Sequence, residues 1–429
     1  MGIIKNRWFQ LALSVAVLVI ISGPQYLWAL FVNPLLVKFG VPLSELQVVF
    51  SLVVVCMTFI TPAVGYLHDK YNSKHIVALG LLMCSGSWVL AANAESLAML
   101  YLSYGVMGGL GAGIAFIGVT GLVQKCFPDK RGLATGILMS GYAFGPLLTT
   151  YAVATSIDRD GVENTLRFFG WLFVFIGLMV VAGFQKPEHI TIPYSVPRQR
   201  LNGESPRQML KSPAFWIMFF IMTMIAASGM MVISNIAIIA KDAGIGTEVV
   251  MFGLAAVPLA LMFDRITNGL SRIIFGSLSD KLGREITLAL AFSLEAVFVL
   301  AWYKFSHDPI LFILLSGLVF LAWGEIFSIF PALCTDTFGE KYASINFGFL
   351  YASVGVGAII GGPLAALLRE TTGGWSAVIY TVVTLDVIAA ILAISLLRMA
   401  VTRHKEKSHR TRLDLPTSAR VTETTEVAG

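Results

Sequence analysis

The chain is a succession of apolar runs, each about as long as a lipid bilayer is thick. A helix crossing the hydrocarbon core needs about 20 mostly apolar residues. Twelve such runs occur, at 8–36, 46–67, 75–93, 97–123, 132–154, 166–185, 213–240, 249–277, 286–303, 310–334, 343–367 and 374–397. No water reaches the backbone inside a bilayer, so segments of this length must satisfy their own peptide groups as helices. Charged residues make up only 13% of the chain, where a soluble domain has about 25%. The mean hydropathy is +0.79. The predicted fold class is therefore an all-α polytopic membrane protein with twelve transmembrane helices.

The first run is far longer than the apolar core of a secretory signal, and no small-residue cleavage site closes it. It reads as the first span, entered from Lys5 and Arg7. The longest polar stretch between runs, Gln185–Ser212, carries Pro187, Pro193, Pro197 and Pro206. It divides the spans six and six. This gives an N-terminal half over 1–185, a cytoplasmic linker over 186–212 and a C-terminal half over 213–397. The polar tail, 398–429, lacks apolar periodicity and is expected to be a disordered cytoplasmic segment.

The halves repeat one another. Gly65–Lys70 (GYLHDK) and Gly276–Lys281 (GSLSDK) stand 211 residues apart, as do Phe127–Lys130 (FPDK) and Phe338–Lys341 (FGEK). Gly141, Gly145 and Pro146 of span 5 find counterparts in Gly357, Gly361, Gly362 and Pro363 of span 11. A duplicated six-helix unit is an architecture of secondary transporters, whose substrate site lies between the halves near the bilayer midplane. Basic residues set the orientation. With the N-terminus inside, 22 of the 30 Lys and Arg fall on the cytoplasmic side and 6 outside. The reading is a multi-pass plasma membrane protein, in a bacterium the inner membrane, with both termini cytoplasmic.

The other two basic residues, Arg265 and Arg272, lie inside span 8. An arginine near the middle of a span costs roughly 2.5–3.5 kcal/mol on insertion scales and is usually tied to function. Asp264, Asn268 and Arg272 are spaced i, i+4, i+8 and share a helix face. Arginine offers a planar fork that matches a carboxylate. Arg265, beside Asp264, reads as interfacial, snorkelling outward. Asp264 and Glu325 are the candidate proton-coupling carboxylates. Glu295 and Asp386 read as inter-helix hydrogen-bond partners. No histidine falls within a predicted span, and His68 is expected to be solvated. Gly23-Pro24 should break span 1, turning Gln25 and Tyr26 toward the substrate. The glycines of Gly108–Gly113 read as helix-packing positions.

These sequences carry a family resemblance. Two copies of GxLxDK in a twelve-helix chain resemble the major facilitator superfamily, whose fold is two pseudo-symmetric six-helix halves. Ile21–Pro34 (ISGPQYLWALFVNP), Phe127–Gly136 (FPDKRGLATG), Asn268–Arg284 (NGLSRIIFGSLSDKLGR) and Ala322–Pro331 (AWGEIFSIFP) resemble the oxalate:formate antiporter family, a neighbour of the monocarboxylate transporters. The resemblance implies that Arg272 holds the substrate carboxylate, with Asn268, Gln25, Tyr26 and Trp323 in the cavity. It also implies a gate built from Asp69, Lys70, Asp280, Lys281 and Arg284. Departures are instructive. Where oxalate-type members have a lysine in span 11, this chain has Val354. A family glutamine in span 2 matches Val54, and family tyrosines in spans 4 and 10 match Phe116 and Phe327. Such a cavity is drier and has one cation fewer, so a monocarboxylate suits it better than a doubly charged acid.

The expected activity is secondary transport of a small organic anion by alternating access, with proton symport or anion exchange. Efflux of an unrelated molecule, with a structural arginine in span 8, is the alternative, together with the oxalate/formate exchange of the family's name. No cofactor, metal site or catalytic constellation is read from the sequence. The four cysteines (Cys56, Cys84, Cys126, Cys334) show neither CxxC nor metal spacing. The expected partners are the anion, protons and the bilayer, with no nucleic acid, and the protein is expected to be a monomer.

Overall fold

The computed structural model describes residues 4–71, 74–185, 189–190, 203–233, 235–245, 249–251 and 254–413. Nine helices among them are long and apolar enough to cross a bilayer, and a bent pair, Val48–Phe59 with Thr61–Tyr71, adds a tenth. The helix Arg131–Ala182 has 52 residues. At 1.5 Å per residue it would run far beyond one bilayer. Gly161, at φ 81° and ψ 166°, divides it into spans 5 and 6. Ala256–Leu282, 27 residues long but rich in polar groups, is span 8. The total is twelve.

Breaks fall where the chemistry requires them. Span 1 comes in three pieces, Arg7–Ile21, Gly23–Tyr26 and Trp28–Phe39. Pro24 has no N–H to continue the ladder. Span 10 is interrupted between Pro309–Trp323 and Ile326–Phe338, at Gly324-Glu325. Span 2 bends by 41° ahead of Pro62.

Some expectations require correction. Span 8 starts at Ala256, not 249; Val249–Met251 and Leu254–Ala255 instead form a small antiparallel ribbon. The tail is helical from Arg398 to Leu413, because span 12 continues through it without a breaker; residues 414–429 lie outside the described residues. Most of the linker does too. Its described end pairs Gly203 with Gly339 and forms the turn Pro206–Met209. His68 is not solvated. It is buried, with Nε2 3.2 Å from the Ile114 carbonyl oxygen.

The halves meet along two matched helix pairs, span 8 on span 5 and span 11 on span 2. Glycines of the repeated loop motif make both crossings possible. A Cβ on Gly65 would lie 2.6 Å from Ile345 Cα, and one on Gly276 would overlap the Gly132 carbonyl oxygen. On the outer surface, Phe168, Trp171, Phe175 and Met179 form an exposed stripe along span 6, as a lipid-facing helix should.

This close approach is testable. Gly276→Leu should force span 8 off span 5, costing roughly 1–3 kcal/mol and lowering the Tm of the purified protein. Gly362→Leu, at a glycine with nothing within 4 Å of its added carbon, should leave Tm unchanged.

Candidate functional site

Arg272 lies at the junction of the halves and is 3% exposed. Its Nη1 donates to the Met139 carbonyl oxygen in span 5 at 2.7 Å, and its Nη2 to Asn268 Oδ1 at 2.9 Å. The guanidinium carbon sits 4.7 Å from the centre of the Phe327 ring. Among the described residues, Arg272 Nε has no hydrogen-bond partner, while Tyr26 bonds the guanidinium elsewhere. Among the described residues, no carboxylate lies within 4.0 Å of this arginine. A buried cation held only by neutral groups retains most of its attraction for an anion.

Aromatic side chains from both halves surround it. Tyr26, Tyr142 and Tyr351 lie beside the guanidinium. Tyr142 donates to Gln25 Oε1 at 2.6 Å and packs edge-on against Tyr26 at 5.5 Å. Phe116 lies against Tyr351 at 4.8 Å and Tyr142 at 6.2 Å. Val354, one helical turn beyond Tyr351, is buried in span 11. The broken first span thus delivers Gln25 and Tyr26 to this region, next to Arg272. Trp323 is a second layer. It donates from Nε1 to the Ile225 carbonyl oxygen at 2.9 Å and backs Phe327 edge-on at 5.6 Å.

The four membrane carboxylates separate into two sets. Asp264 shares a helix face with Arg272, as expected, but its carboxylate neighbours Ser316 and Arg265. Glu325 lies close enough to Arg272, Glu295 and Asp386 to feel their charge. Among the described residues, both its carboxylate oxygens lack hydrogen-bond partners. Glu295 and Asp386, on spans 9 and 12, thus lie near each other and near Glu325, which follows the break in span 10.

Near one end of spans 2, 5, 8 and 11 a duplicated clamp joins the halves. Asp280, after span 8, accepts from the backbone N–H groups of Gly132 (3.0 Å) and Leu133 (2.8 Å) at the start of span 5. Asp69, after span 2, accepts from Ser344 (3.3 Å) and Ile345 (2.9 Å) at the start of span 11. Each aspartate thus caps a helix of the opposite half, where free N–H groups and the helix dipole favour an anion. Basic residues complete both clamps. Lys125 pairs with Asp69 at 2.9 Å, and Arg284 with Asp280 at 2.6 Å and Asp336 at 3.0 Å. Arg131 pairs with Asp336 at 2.6 Å and with Glu340. Lys70 and Lys281 do not join. Lys70 is exposed over Tyr66 and Tyr71, and Lys281 is exposed at the helix end.

Sequence reasoning passed over Tyr142, Tyr351, Lys125, Arg131, Asp336 and Glu340. The signal for the tyrosines was their place in spans 5 and 11, equivalent helices of the repeat already marked by their glycines. Arg131 sat in the motif Phe127–Gly136, read only for its likeness to other chains.

The model of the Major Facilitator Superfamily matches residues 13–268 and 265–423. The chain belongs to this superfamily. It is a membrane transporter of twelve helices in two halves, and not an enzyme. It is 28% identical over 402 residues to the oxalate:formate antiporter of Oxalobacter formigenes, with 93% of each chain covered. It is 24% identical over 356 residues to mouse monocarboxylate transporter 12, covering 76% of this chain and 72% of that one. Both bear out the resemblance read from the motifs. The fold is also that of the Escherichia coli fucose:proton symporter, with a TM-score of 0.67 at 13% identity, covering 90% and 98% of the two chains.

The clamp predicts an accessibility change. In a background lacking the four native cysteines, a Ser344→Cys reporter should react slowly with a membrane-impermeant maleimide. Asp69→Ala should speed labelling by roughly 10-fold or more, given about 1.5–3 kcal/mol for hydrogen bonds to a charged group. Adding Asp280→Ala should speed it further. Unchanged labelling in the double variant would show that the clamps do not hold this end shut.

Proposed function

We propose that this protein carries a small monocarboxylate across a bacterial inner membrane by alternating access, with both termini and the clamp on the cytoplasmic side, and that it works as a monomer. The observation that carries this reading is Arg272: buried between the halves, with no carboxylate partner among the described residues. A structural arginine, as an unrelated effluxer would have, should be paired. The substrate carboxylate takes the fork of Arg272, while Tyr26, Tyr142, Tyr351, Phe116 and Phe327 exclude water from around it. Val354 offers no second charge in span 11, which favours one carboxylate over two. The names of the relatives, an oxalate:formate antiporter and a monocarboxylate transporter, agree with a small organic acid.

Binding and gating share a helix pair. Arg272 holds Met139, and Asp280 holds Gly132 and Leu133, so spans 8 and 5 are tied at the midplane and at the clamp. A carboxylate that takes Nη1 from Met139 loosens the inner tie. Release of one tie makes rotation of span 5 away from span 8 easier, which is what opening the clamped end requires.

Glu325, rather than Asp264, is the proton-coupling group in this reading, because it is the one close to Arg272. In the empty carrier an ionised Glu325 balances Arg272. When substrate occupies Arg272, Glu325 takes a proton. One proton then moves with each anion.

Counterflow in proteoliposomes, with labelled formate, oxalate, lactate, pyruvate and larger acids, tests the substrate class. Arg272→Gln should abolish counterflow with expression intact. Arg272→Lys should weaken affinity by roughly 10- to 100-fold, the equivalent of about 1.5–3 kcal/mol. Val354→Lys should shift preference toward oxalate. For coupling, Glu325→Gln should lose uptake driven by an inward proton gradient yet keep counterflow. Uptake that appears only with internal counter-substrate in the wild type would make the protein an obligate exchanger.

A further inference from the structure

Arg265 does not snorkel outward as its sequence position suggests. Seven residues before Arg272, it falls about 20° from the same helix face. Its guanidinium carbon lies 4.2 Å from the centre of the Tyr26 ring. Tyr26 belongs to span 1 of the other half, so Arg265 points into the junction between the halves and is only partly buried. Among the described residues it has no carboxylate within 4.0 Å. Asp264, its neighbour in sequence, also faces Ser316.

We propose that Arg265, stacked on Tyr26, is a first docking position for the substrate carboxylate, reached from the end opposite the clamp and emptied into Arg272. This rests on the carboxylate reading above. Stacking occupies the flat face of a guanidinium and leaves its N–H groups free in the plane, where a carboxylate fork binds. Arg265 stands about 10 Å farther along span 8 from the clamp than Arg272 does, at 1.5 Å per residue. Ionic screening acts over about 8 Å at physiological salt. An acid in water beyond Arg265 therefore feels little of Arg272, which is behind Tyr26 and 3% exposed. Arg265 brings a positive charge within range.

Tyr26 connects the two positions. Its ring carries Arg265, and the same side chain borders Arg272. It ends the short piece Gly23–Tyr26, with helix boundaries at Ser22 and Leu27. A swing of this one residue separates the outer position from the inner one, so the acid passes from one arginine to the next without meeting both at once. Arg265 is thereby a specificity and capture residue for acids in general, while Arg272 decides transport.

The test uses the full-length protein with lactate as the probe and formate and oxalate in parallel. Arg265→Gln should raise KM several-fold for entry from the end opposite the clamp, with kcat retained. Entry from the clamped end, measured in vesicles of the opposite orientation, should keep its KM. Arg265→Lys should restore part of the affinity, and the wild-type KM should rise more steeply with salt than that of Arg265→Gln. A KM unchanged in both orientations, or a carrier that folds but is inactive at saturating lactate, overturns the proposal. A second measurement is independent of transport. In Arg272→Gln, lactate should still slow phenylglyoxal labelling of Arg265, read by peptide mapping. Protection there supports the outer position even if the wild type carries none of the three acids, which would count against the carboxylate-transport reading alone. Its absence overturns the outer position.

Discussion

A positive charge buried between two halves, with no carboxylate within 4.0 Å among the described residues, sets the terms for this molecule. Arg272 is held by a carbonyl oxygen, an amide oxygen and an aromatic face. Each lowers the cost of burial, and none cancels the charge. Ion pairs elsewhere in the protein are abundant, and Arg7 pairs with Asp129 at 2.5 Å. The chain thus has the means to neutralise arginines and does so near the ends of its helices. At Arg272 it uses carbonyl, amide and π-electron density instead. Such partners can be exchanged for a carboxylate at low cost, because none has to be left as an unpaired buried charge.

The clamp follows a different rule. Asp69 and Asp280 bind backbone N–H groups that a helix start leaves free, and each reaches a helix of the other half. The repeat makes the two sides equivalent, each aspartate capping a helix of the other half. Glycines at 65 and 276 bring the helices close enough for these bonds. The motif is therefore one device: the glycine sets the crossing, and the aspartate four residues later uses it. Lys70 and Lys281, which share the motif, face away. Their charge suits the surface rather than the lock.

Twelve spans, the duplication and the placement of Arg272 were legible because lipid imposes strong patterns: length, apolarity and the rarity of buried charge. The break in span 1 was legible because proline has one effect on a helix. What stayed hidden depends on which neighbour a helix face meets. Tyr142 and Tyr351 are ordinary span residues until spans 5 and 11 cross the arginine. Arg265 could be assigned to lipid or to the junction only by the position of Tyr26. His68 sits just past an apolar run, and only its packing under span 4 makes it buried. The helical continuation to Leu413 carried no apolar pattern.

The same charge accounting ties coupling to architecture. A carrier that reorients must move its site between two water-facing ends without stranding a net charge in a dry midplane. In the proposed cycle, substrate on Arg272 balances the site and leaves reorientation unhindered. Without substrate, an unbalanced arginine would hold the carrier still, and only exchange could proceed. In the proposed coupling Glu325 changes this, because it belongs to a different helix from Arg272 yet lies within its field. Among the described residues its oxygens have no hydrogen-bond partner. In the proposed cycle an ionised Glu325 neutralises the arginine, and a protonated one becomes a neutral group that tolerates burial beside Glu295 and Asp386. A carboxylate locked in a strong ion pair could not alternate in this way. Under the proposed coupling, the oxygens of Glu325, unsatisfied among the described residues, are the counterpart of the charge of Arg272.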